Sequence, residues 1–295
     1  MNKTLEILKS IYKPYKYTIK GKATILETMT GEYIIKEKDK DLKDLYNYLE
    51  SRGFIFFPSL IDASRSDVNV FEYVSDTKRP EPQKLDDLMD TIASLHNKTS
   101  YFKEVSEDHY KKIYEDIKSN LLYLDNYYNT LFDIHINNIY MSPSVYLFMR
   151  NYYLIKNNID YAYKLLDEWY DLVKTEKNVR VCIVHNNLSL DHYLSDKLIS
   201  WDHYLVDTPV LDIYKLYQNT WDNIDFKEPL EKYFYKFPYI DYEKKLLYIL
   251  MLMPPSLHKE NTEFKKCKDL NKVISYVYKT KELIWPNDSN HEEKE

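Results

Sequence analysis

The sequence predicts an α+β protein with a small β-rich N-terminal part and a larger helical part after it. Three observations lead to this fold class. Short β-type runs separated by turn signals fill the first 75 residues. Apolar residues then recur every three or four positions over most of residues 85–284. Between 181 and 216, short apolar runs and polar residues interrupt this helical pattern.

Three short β-type runs open the N-terminal part: Tyr17–Lys20, Ala23–Glu27 and Glu32–Lys36. Gly21 and Gly31 stand between them, at positions where tight hairpin turns favour glycine. We therefore predict that the three runs form an antiparallel sheet.

A helix and two further strands are predicted to complete an N-lobe over residues 1–75. Asp39–Glu50 has apolar residues at helical spacing, and Gly53 follows as a stop signal. The segments Phe54–Ile61 and Asn69–Val74 have the composition of strands.

A charged segment at 76–84, with Pro80 and Pro82, is typical of a linker or hinge. A helical C-lobe is predicted for 85–286, and a polar, disordered tail for 287–295. The clearest helical patterns in the C-lobe are Leu85–Asn97, Glu107–Leu131 and Ser144–Thr175.

Composition excludes several classes of site. The chain has 3 Gly in 295 residues, whereas average usage would give roughly 20. No GxGxxG or GxxxxGK[ST] phosphate loop can be written from so few. A net charge of −6 argues against general nucleic-acid binding, so we expect no nucleic-acid partner.

The compartment expected from the sequence is cytoplasmic. Cys182 and Cys267 lie far apart and outside any metal-ligand spacing, as expected of reduced, structural thiols. No signal-peptide pattern is present, and the longest apolar stretch, Leu246–Pro255, is too short to span a membrane. Lysines outnumber arginines 36 to 5, a bias typical of an AT-rich genome, which weakens the 31 tyrosines as evidence of function.

The chemistry is expected in the catalytic-loop region at 181–216. A buried-type strand, Val181–Val184, leads into the polar segment His185–His192. Leu198–Asp202 and Asp207–Asp212 follow. Polar residues placed between short apolar strands are typical of a loop that carries function.

The order of these motifs resembles that of the kinase-like phosphotransferases, the group of aminoglycoside phosphotransferases and choline kinases. Their signature is H-x-D-x-x-x-x-N followed by I-D-[FW]-[DE]. In that frame His185 matches the His that supports the loop, and Asn187 stands at the catalytic Asp position. His192 stands at the metal-binding Asn and Ser200 at the metal-binding Asp.

The chain before and after this signature also resembles the family. Lys36 matches the lysine that anchors phosphate, and Glu72, Tyr73 and Val74 match the hinge that contacts adenine. The closing D-x-P-x-x-D motif starts at Asp207, and the seven-residue gap between Ser200 and Asp207, with Ile213–Leu216 after it, resembles the spore-coat (CotS-type) branch. The resemblance implies a bilobal protein-kinase-like fold, with ATP and Mg²⁺ as cofactors.

The helix carboxylate that would pair with Lys36 is less defined by the resemblance. Asp44 and Glu50 both lie on the helix predicted over Asp39–Glu50. We favour Asp44 because it lies nearer the middle of that helix.

Departures from the family motif affect both catalysis and metal binding. The amide of Asn187 can hydrogen-bond an acceptor hydroxyl but cannot take its proton. Ser200 and His192 replace the hard oxygen ligands that Mg²⁺ prefers. In a strand, Asp202 would share a face with Ser200 and hold one metal ion, with Asp191 assisting.

Three hypotheses follow. The first is a pseudokinase with impaired or absent phosphoryl transfer and a structural or assembly role, with or without a bound nucleotide, and with spore-coat or other protein partners. The alternative is an ATP-dependent phosphotransferase that acts on an alcohol group of a small-molecule acceptor through a variant metal site at Asp202. A third hypothesis is a ligand-binding module without chemistry.

Overall fold

The computed structural model describes residues 2–21, 23–62, 64 and 67–285. The chain packs as two compact units, each built from two separate stretches of sequence. Unit 1 contains 1–100 and 182–206, and unit 2 contains 101–181 and 207–295. The predicted lobes follow the order of the sequence, whereas these units do not. The tail predicted at 287–295 lies outside the described residues.

Unit 1 contains a five-stranded antiparallel sheet in the order β1-β2-β3-β5-β4. The first three strands confirm the predicted hairpins, and Gly21 has the positive φ of +57° that a tight turn requires. The strands are β1 (Lys16–Lys20), β2 (Ala23–Thr28), β3 (Gly31–Glu37), β4 (Leu60–Asp62) and β5 (Val68–Glu72).

The predicted strand Phe54–Ile61 is wrong over most of its length, since β4 begins only at Leu60. Phe54 and Phe57 are both buried, a spacing of three that does not alternate as a strand does. Pro58 also lacks the N–H that a ladder needs. The segment is an extended connection, and Phe56 O accepts a 2.9 Å hydrogen bond from Leu198 N–H.

Three helices accompany the sheet in unit 1: α1 (Asn2–Tyr12), α2 (Lys43–Ser51) and α3 (Glu81–Thr99). Helix α3 begins inside the segment predicted as a linker. Pro82 allows this because the first turn of a helix needs no N–H donor from it. Leu8, Leu26 and Val70 belong to the apolar core cluster against the sheet.

The second stretch of unit 1 returns to pack on the first. Ile183 N–H donates to Thr99 Oγ1 at 3.1 Å, and the hydroxyls of Tyr193 and Thr91 lie 3.0 Å apart. The short elements of this stretch include β7 (Asn178–Val184), whose first residues belong to unit 2, and the hairpin of β8 (Tyr193–Leu194) and β9 (Lys197–Leu198). Two 3-10 turns lie at Leu190–His192 and Trp201–His203, and β10 spans Leu205–Asp207.

Unit 2 is mainly helical, as predicted. Its longest helix, α5 (Pro143–Val173), packs against α4, α8 and α9. The other elements are β6 (Tyr101–Glu104), α4 (His109–His135), α6 (Val210–Thr220), α7 (Lys227–Lys236), α8 (Asp241–Leu252) and α9 (Glu263–Ile284). Strand β6 pairs antiparallel with residues 178–181 of β7.

Among the described residues, no helix is both long enough and apolar enough to cross a bilayer.

Candidate functional site

The loop that follows β7 is held by His185. This side chain is fully buried, and its Nε2 lies 2.8 Å from Ile199 O. Because a carbonyl oxygen only accepts, Nε2 must carry the proton. The ring also meets Trp201 edge-on at 4.8 Å between centroids. His185 thus joins the start of the loop to the segment before Ser200, a contact that fits the loop-supporting role predicted for it.

Asn187, at the predicted catalytic position, is half-buried in the same loop. Its backbone carbonyl accepts a 2.7 Å hydrogen bond from His192 Nδ1. His192 also donates its backbone N–H to Ser189 O and accepts from Ile199 N–H. His192 therefore stabilises the loop through its ring and its backbone.

Lys36, Ser200 and Asp202 come together, although they are far apart in sequence. The Lys36 ammonium donates to Ser200 Oγ at 2.9 Å and lies 3.4 Å from Asp202 Oδ2. Lys36 lies on β3 and the other two lie around the 3-10 turn at 201–203. The site residues predicted on these two parts of the sequence thus meet in unit 1.

The backbone that presents Ser200 and Asp202 is not a strand. Ser200 has a left-handed backbone, with φ of +66°, and Asp202 lies in the 3-10 turn that follows. The expectation that they share a face by strand alternation is therefore wrong. The tight turn places both side chains on the same lysine instead.

Helix α2 does not bring Asp44 to this group. Asp44 and Glu50 are both exposed on that helix, while Tyr46 on its buried face lines the cavity beside Lys36. Burial raises the pKa of the Tyr46 hydroxyl, and the charge of Asp202 adds to this effect. Sequence periodicity placed Tyr46 on the apolar face but could not show that it faces the site.

The hinge residues lie at the end of β5. Tyr73 N–H donates to Glu32 O at 3.1 Å, and Val74 is buried. Glu72 forms an ion pair with Lys197 on β9. Burial alone would raise the pKa of Glu72. The hydrogen bond and charge of Lys197 act in the opposite direction, together with the backbone N–H of Ser59, and the pKa of Glu72 lies below its usual range.

Two further contacts join the β8–β9 hairpin to the segment after the hinge. Ser195 Oγ donates to Ser75 O at 2.6 Å. Arg79 binds Asp196 through two hydrogen bonds of 2.6 and 3.1 Å, and Asp87 at 2.7 Å. We call these contacts, with Glu72–Lys197, the hairpin clamp. Sequence reasoning missed them because the partners on the hairpin carry no motif.

A cavity lies between the sheet and the returning segment of unit 1. Its apolar walls include Ile34, Val74, Leu194 and Ile199, and Lys36 lies among its polar lining residues. Its volume is about 40 Å³, far below the ~300–1,000 Å³ typical of small-molecule sites. The cavity as described is too small for a purine nucleotide.

The residues present do not fit a magnesium ion. Of the two carboxylates predicted near the metal, Asp202 carries the Lys36 ammonium next to Ser200, and Asp191 is exposed in the 3-10 turn at Leu190–His192. His192 Nδ1 is engaged by Asn187 O. Within the described part of the chain, no group of three or more His, Cys, Asp or Glu side chains is arranged to hold a metal ion.

Comparison with known proteins identifies the fold. An aminoglycoside phosphotransferase from Alicyclobacillus acidocaldarius aligns with a TM-score of 0.63 at 11% identity, over 91% of this chain and 90% of that one. The AMP-bound spectinomycin phosphotransferase APH(9)-Ia aligns with a TM-score of 0.56 at 14% identity, over 96% and 99%. The choline kinase LicA from Streptococcus pneumoniae aligns with a TM-score of 0.46 at 14% identity, over 94% and 95%.

The two higher scores establish the kinase-like phosphotransferase fold for this chain. No protein-family model matches the sequence. No curated protein matches it at a significant level either.

Proposed function

We propose that this protein is a pseudokinase: a kinase-like fold that does not transfer phosphoryl groups and acts through its surface. The observation that carries the proposal is the ammonium of Lys36, which is bound to Ser200 and Asp202 at the edge of a cavity of about 40 Å³. In an active phosphotransferase, the lysine would bind phosphate and the carboxylate would bind the metal ion.

The residues around this group support the same conclusion. Phosphoryl transfer depends on positioning and on neutralising the charge of the phosphates. Asn187 cannot accept a proton, and loss of a general base costs ~10²–10⁴-fold in rate. Because the Lys36 ammonium balances the charge of Asp202, the site offers no anionic oxygen cluster of the kind that Mg²⁺ prefers.

The cavity walls argue against nucleotide binding as well. The spectinomycin phosphotransferase of similar fold binds AMP. To admit a nucleotide here, the apolar walls of the cavity would have to separate, and the hairpin clamp holds the hinge against β8 and β9. We therefore propose that neither ATP nor Mg²⁺ is a cofactor of this protein.

A thermal-shift titration tests the nucleotide part of the proposal. A ligand at 100 times its Kd should stabilise the folded state by ~2.7 kcal/mol, so ATP would give a clear shift if it bound. We expect none, with or without Mg²⁺. A shift that requires Mg²⁺, with phosphoryl transfer that Asp202→Ala abolishes, would establish the active phosphotransferase with a variant metal site instead.

A restoration experiment tests the catalytic part. The variant carrying Asn187→Asp, His192→Asn and Ser200→Asp regains the family residues at all three positions. If wild type and this variant are equally inactive, loss of the three family residues does not by itself account for the inactivity. If only the variant transfers phosphate, the lost residues explain the inactivity. Equal and measurable turnover in both would refute the pseudokinase proposal.

A narrower role, assembly within a spore coat, rests on the motif spacing after Ser200. The test is the location of a fluorescent fusion in a sporulating host that carries the gene. Enrichment at the coat of the forming spore is the expected result. A uniform cytoplasmic signal throughout sporulation would remove this narrower role and leave the pseudokinase proposal standing.

A further inference from the structure

A pocket in unit 2 lies where α4, α6 and α9 meet the segment 253–256. Its volume is about 380 Å³, within the ~300–1,000 Å³ typical of small-molecule sites. All of its lining residues belong to unit 2. What this pocket binds is therefore independent of the site at Lys36, which lies in unit 1.

The pocket carries no charge of its own. Among the described residues that line it, none is Asp, Glu, Lys, Arg or His, although 30% of the chain is charged. Two other cavities of unit 2 do have charged walls: Asp225 and Lys279 line one, and Lys259 and Asp269 line the other. A charged ligand that left water for the neutral pocket would find no counter-charge. The lining therefore favours an uncharged ligand.

Aromatic rings form much of the pocket wall. Tyr123, Tyr214 and Trp221 line it, and Trp221 meets the buried Tyr276 edge-on at 5.2 Å between ring centroids. The face of an aromatic ring carries partial negative charge, so it attracts the weakly positive C–H groups on one face of a sugar ring. The same face attracts a quaternary ammonium ion, but the Lys279 ammonium already lies 5.7 Å from the Trp221 centroid. A second cation on this ring would be repelled.

Neutral polar side chains lie among these rings. Asn120, Gln218 and Ser256 also line the pocket. Each of the three can both donate and accept a hydrogen bond, as every hydroxyl of a sugar does. Gln218 is held in place because its Nε2 donates to Tyr214 OH at 2.6 Å. Rings and amides on one surface match a ligand that has apolar ring faces and a hydroxyl-rich edge.

Hydrogen bonds to the surrounding helices hold the pocket walls. Tyr276 OH donates to Met251 O at 2.7 Å, and Tyr128 OH donates to Pro255 O at 2.5 Å. Lys279 Nζ donates to the backbone carbonyl of Trp221 at 3.0 Å. Walls that are fixed before binding reduce the ordering cost that a ligand must overcome. The pocket is therefore pre-organised by the fold.

We infer that this pocket binds a neutral carbohydrate. One face of a sugar ring packs on Tyr123 or Trp221, and its hydroxyls bond to Asn120, Gln218 and Ser256. Acidic sugars and amino sugars are disfavoured, since the pocket has no ion to balance either charge.

A glycan microarray probed with the full chain is the first measurement. It presents neutral, acidic and amino-sugar glycans, and we expect signal on the neutral ones. The neutral glycan with the strongest signal is then titrated calorimetrically. Tyr123→Ala and Asn120→Ala should each raise its Kd by about tenfold, since one removes a ring face and the other an amide. Both side chains are exposed, so neither change should unfold the protein.

Tyr146→Ala and Asn126→Ala are the matched controls. Tyr146 is 61% exposed against 62% for Tyr123, and it lies in α5 outside the pocket lining. Asn126 is exposed on α4, the helix that carries Asn120. Both controls should bind the glycan as wild type does. Equal losses in the controls and in the pocket variants would place the glycan elsewhere and overturn the inference.

Choline chloride and decaproline are titrated in the same way, because aromatic pockets also bind quaternary ammonium ions and proline-rich peptides. We expect neither to bind. Tighter binding of choline or decaproline than of any neutral glycan, weakened by Tyr123→Ala, would assign the pocket to that ligand instead. Failure of every neutral glycan to bind, or a stronger response to acidic or amino-sugar glycans, would also overturn the inference. The ATP titration reports on unit 1, so its outcome is separate from these.

Discussion

Lys36 is the residue on which the interpretation of the site depends. Its ammonium neutralises Asp202 and donates to Ser200, and all three side chains are largely buried. A lysine retained for nucleotide binding would have an unbalanced charge when no ligand is bound. A lysine that balances a buried carboxylate contributes to the stability of the unliganded fold.

The first prediction follows from this difference. Lys36→Met should lower the free energy of unfolding by about 1–2 kcal/mol, because it leaves Asp202 without its counter-ion. Urea denaturation of the single variants and of Lys36→Met with Asp202→Asn would give the coupling energy. Lys40→Met is the control, since Lys40 makes an exposed contact to Tyr204 O. Additive effects of the two site variants would contradict the prediction.

The second prediction concerns the pH dependence of the Glu72–Lys197 pair. The pKa of Glu72 is lower in the folded protein than its ordinary value of 4.5. The stabilisation from this pair is therefore complete above about pH 4.5 and is lost as the pH falls through the lower folded-state pKa. Glu72→Gln should cost about 0.5–1 kcal/mol at pH 7 and less at about pH 3.

Urea denaturation of wild type and Glu72→Gln at the two pH values measures this effect. Glu37→Gln serves as control, because Glu37 is exposed at the end of β3. An equal cost of Glu72→Gln at both pH values would show that the ion pair contributes nothing to stability.

Helix α8 shows how side chains from other elements complete a structural element. The last carbonyls of a helix lack partners within it. Side chains of two other helices donate to the last carbonyls of α8: Asn158 Nδ2 to Leu252 O at 2.7 Å and Tyr276 OH to Met251 O at 2.7 Å. A third donor, Tyr128 OH, binds Pro255 O beyond the end of α8 at 2.5 Å. These donors come from α5, α9 and α4.

The third prediction tests one of these contacts. Asn158→Ala should destabilise unit 2 by about 1–3 kcal/mol, because it leaves Leu252 O buried without this donor. Asn151→Ala in the same helix is the control, since Asn151 donates only to Leu147 O one turn earlier. Thermal and urea unfolding of both variants would measure the difference. Equal stability of the two would show that water replaces the amide at Leu252.

Elements were predictable to different degrees. The hairpins at Gly21 and Gly31 and the long helices follow from local turn chemistry and apolar spacing, and they were predicted. The segment 54–59 was not, because an apolar run without alternation has no local signal that separates a buried strand from a buried connection. Pro58 was the one residue that argued against a strand.

In the whole molecule, unit 1 combines two stretches that are distant in the sequence, 1–100 and 182–206. Residues 182–206 contribute the buried side chains of Trp201, Leu198 and Tyr193 to unit 1. Trp201 packs edge-on against Phe54 at 6.3 Å between centroids. The predicted N-lobe of 1–75 therefore lacks part of the buried core of unit 1.

The fourth prediction follows. A fragment of residues 1–100 should show no cooperative unfolding, because it lacks the apolar side chains of 182–206. The same fragment joined to 182–206 by a flexible linker should unfold cooperatively. Circular dichroism during urea titration of both fragments would measure this. Cooperative unfolding of 1–100 alone would show that the sheet and α3 are self-sufficient.

The local sequence determined the element types, the hairpin turns and the order of the family motifs, because each depends on residues close together in the chain. It also placed Lys36, Ser200 and Asp202 among the site residues. Only the tertiary structure decided what these residues do. Lys36 and Ser200 are separated by 164 positions, and nothing in their local spacing could show that the lysine binds the serine and the carboxylate. The same holds for the small cavity and the hairpin clamp, since burial depends on what the rest of the chain covers.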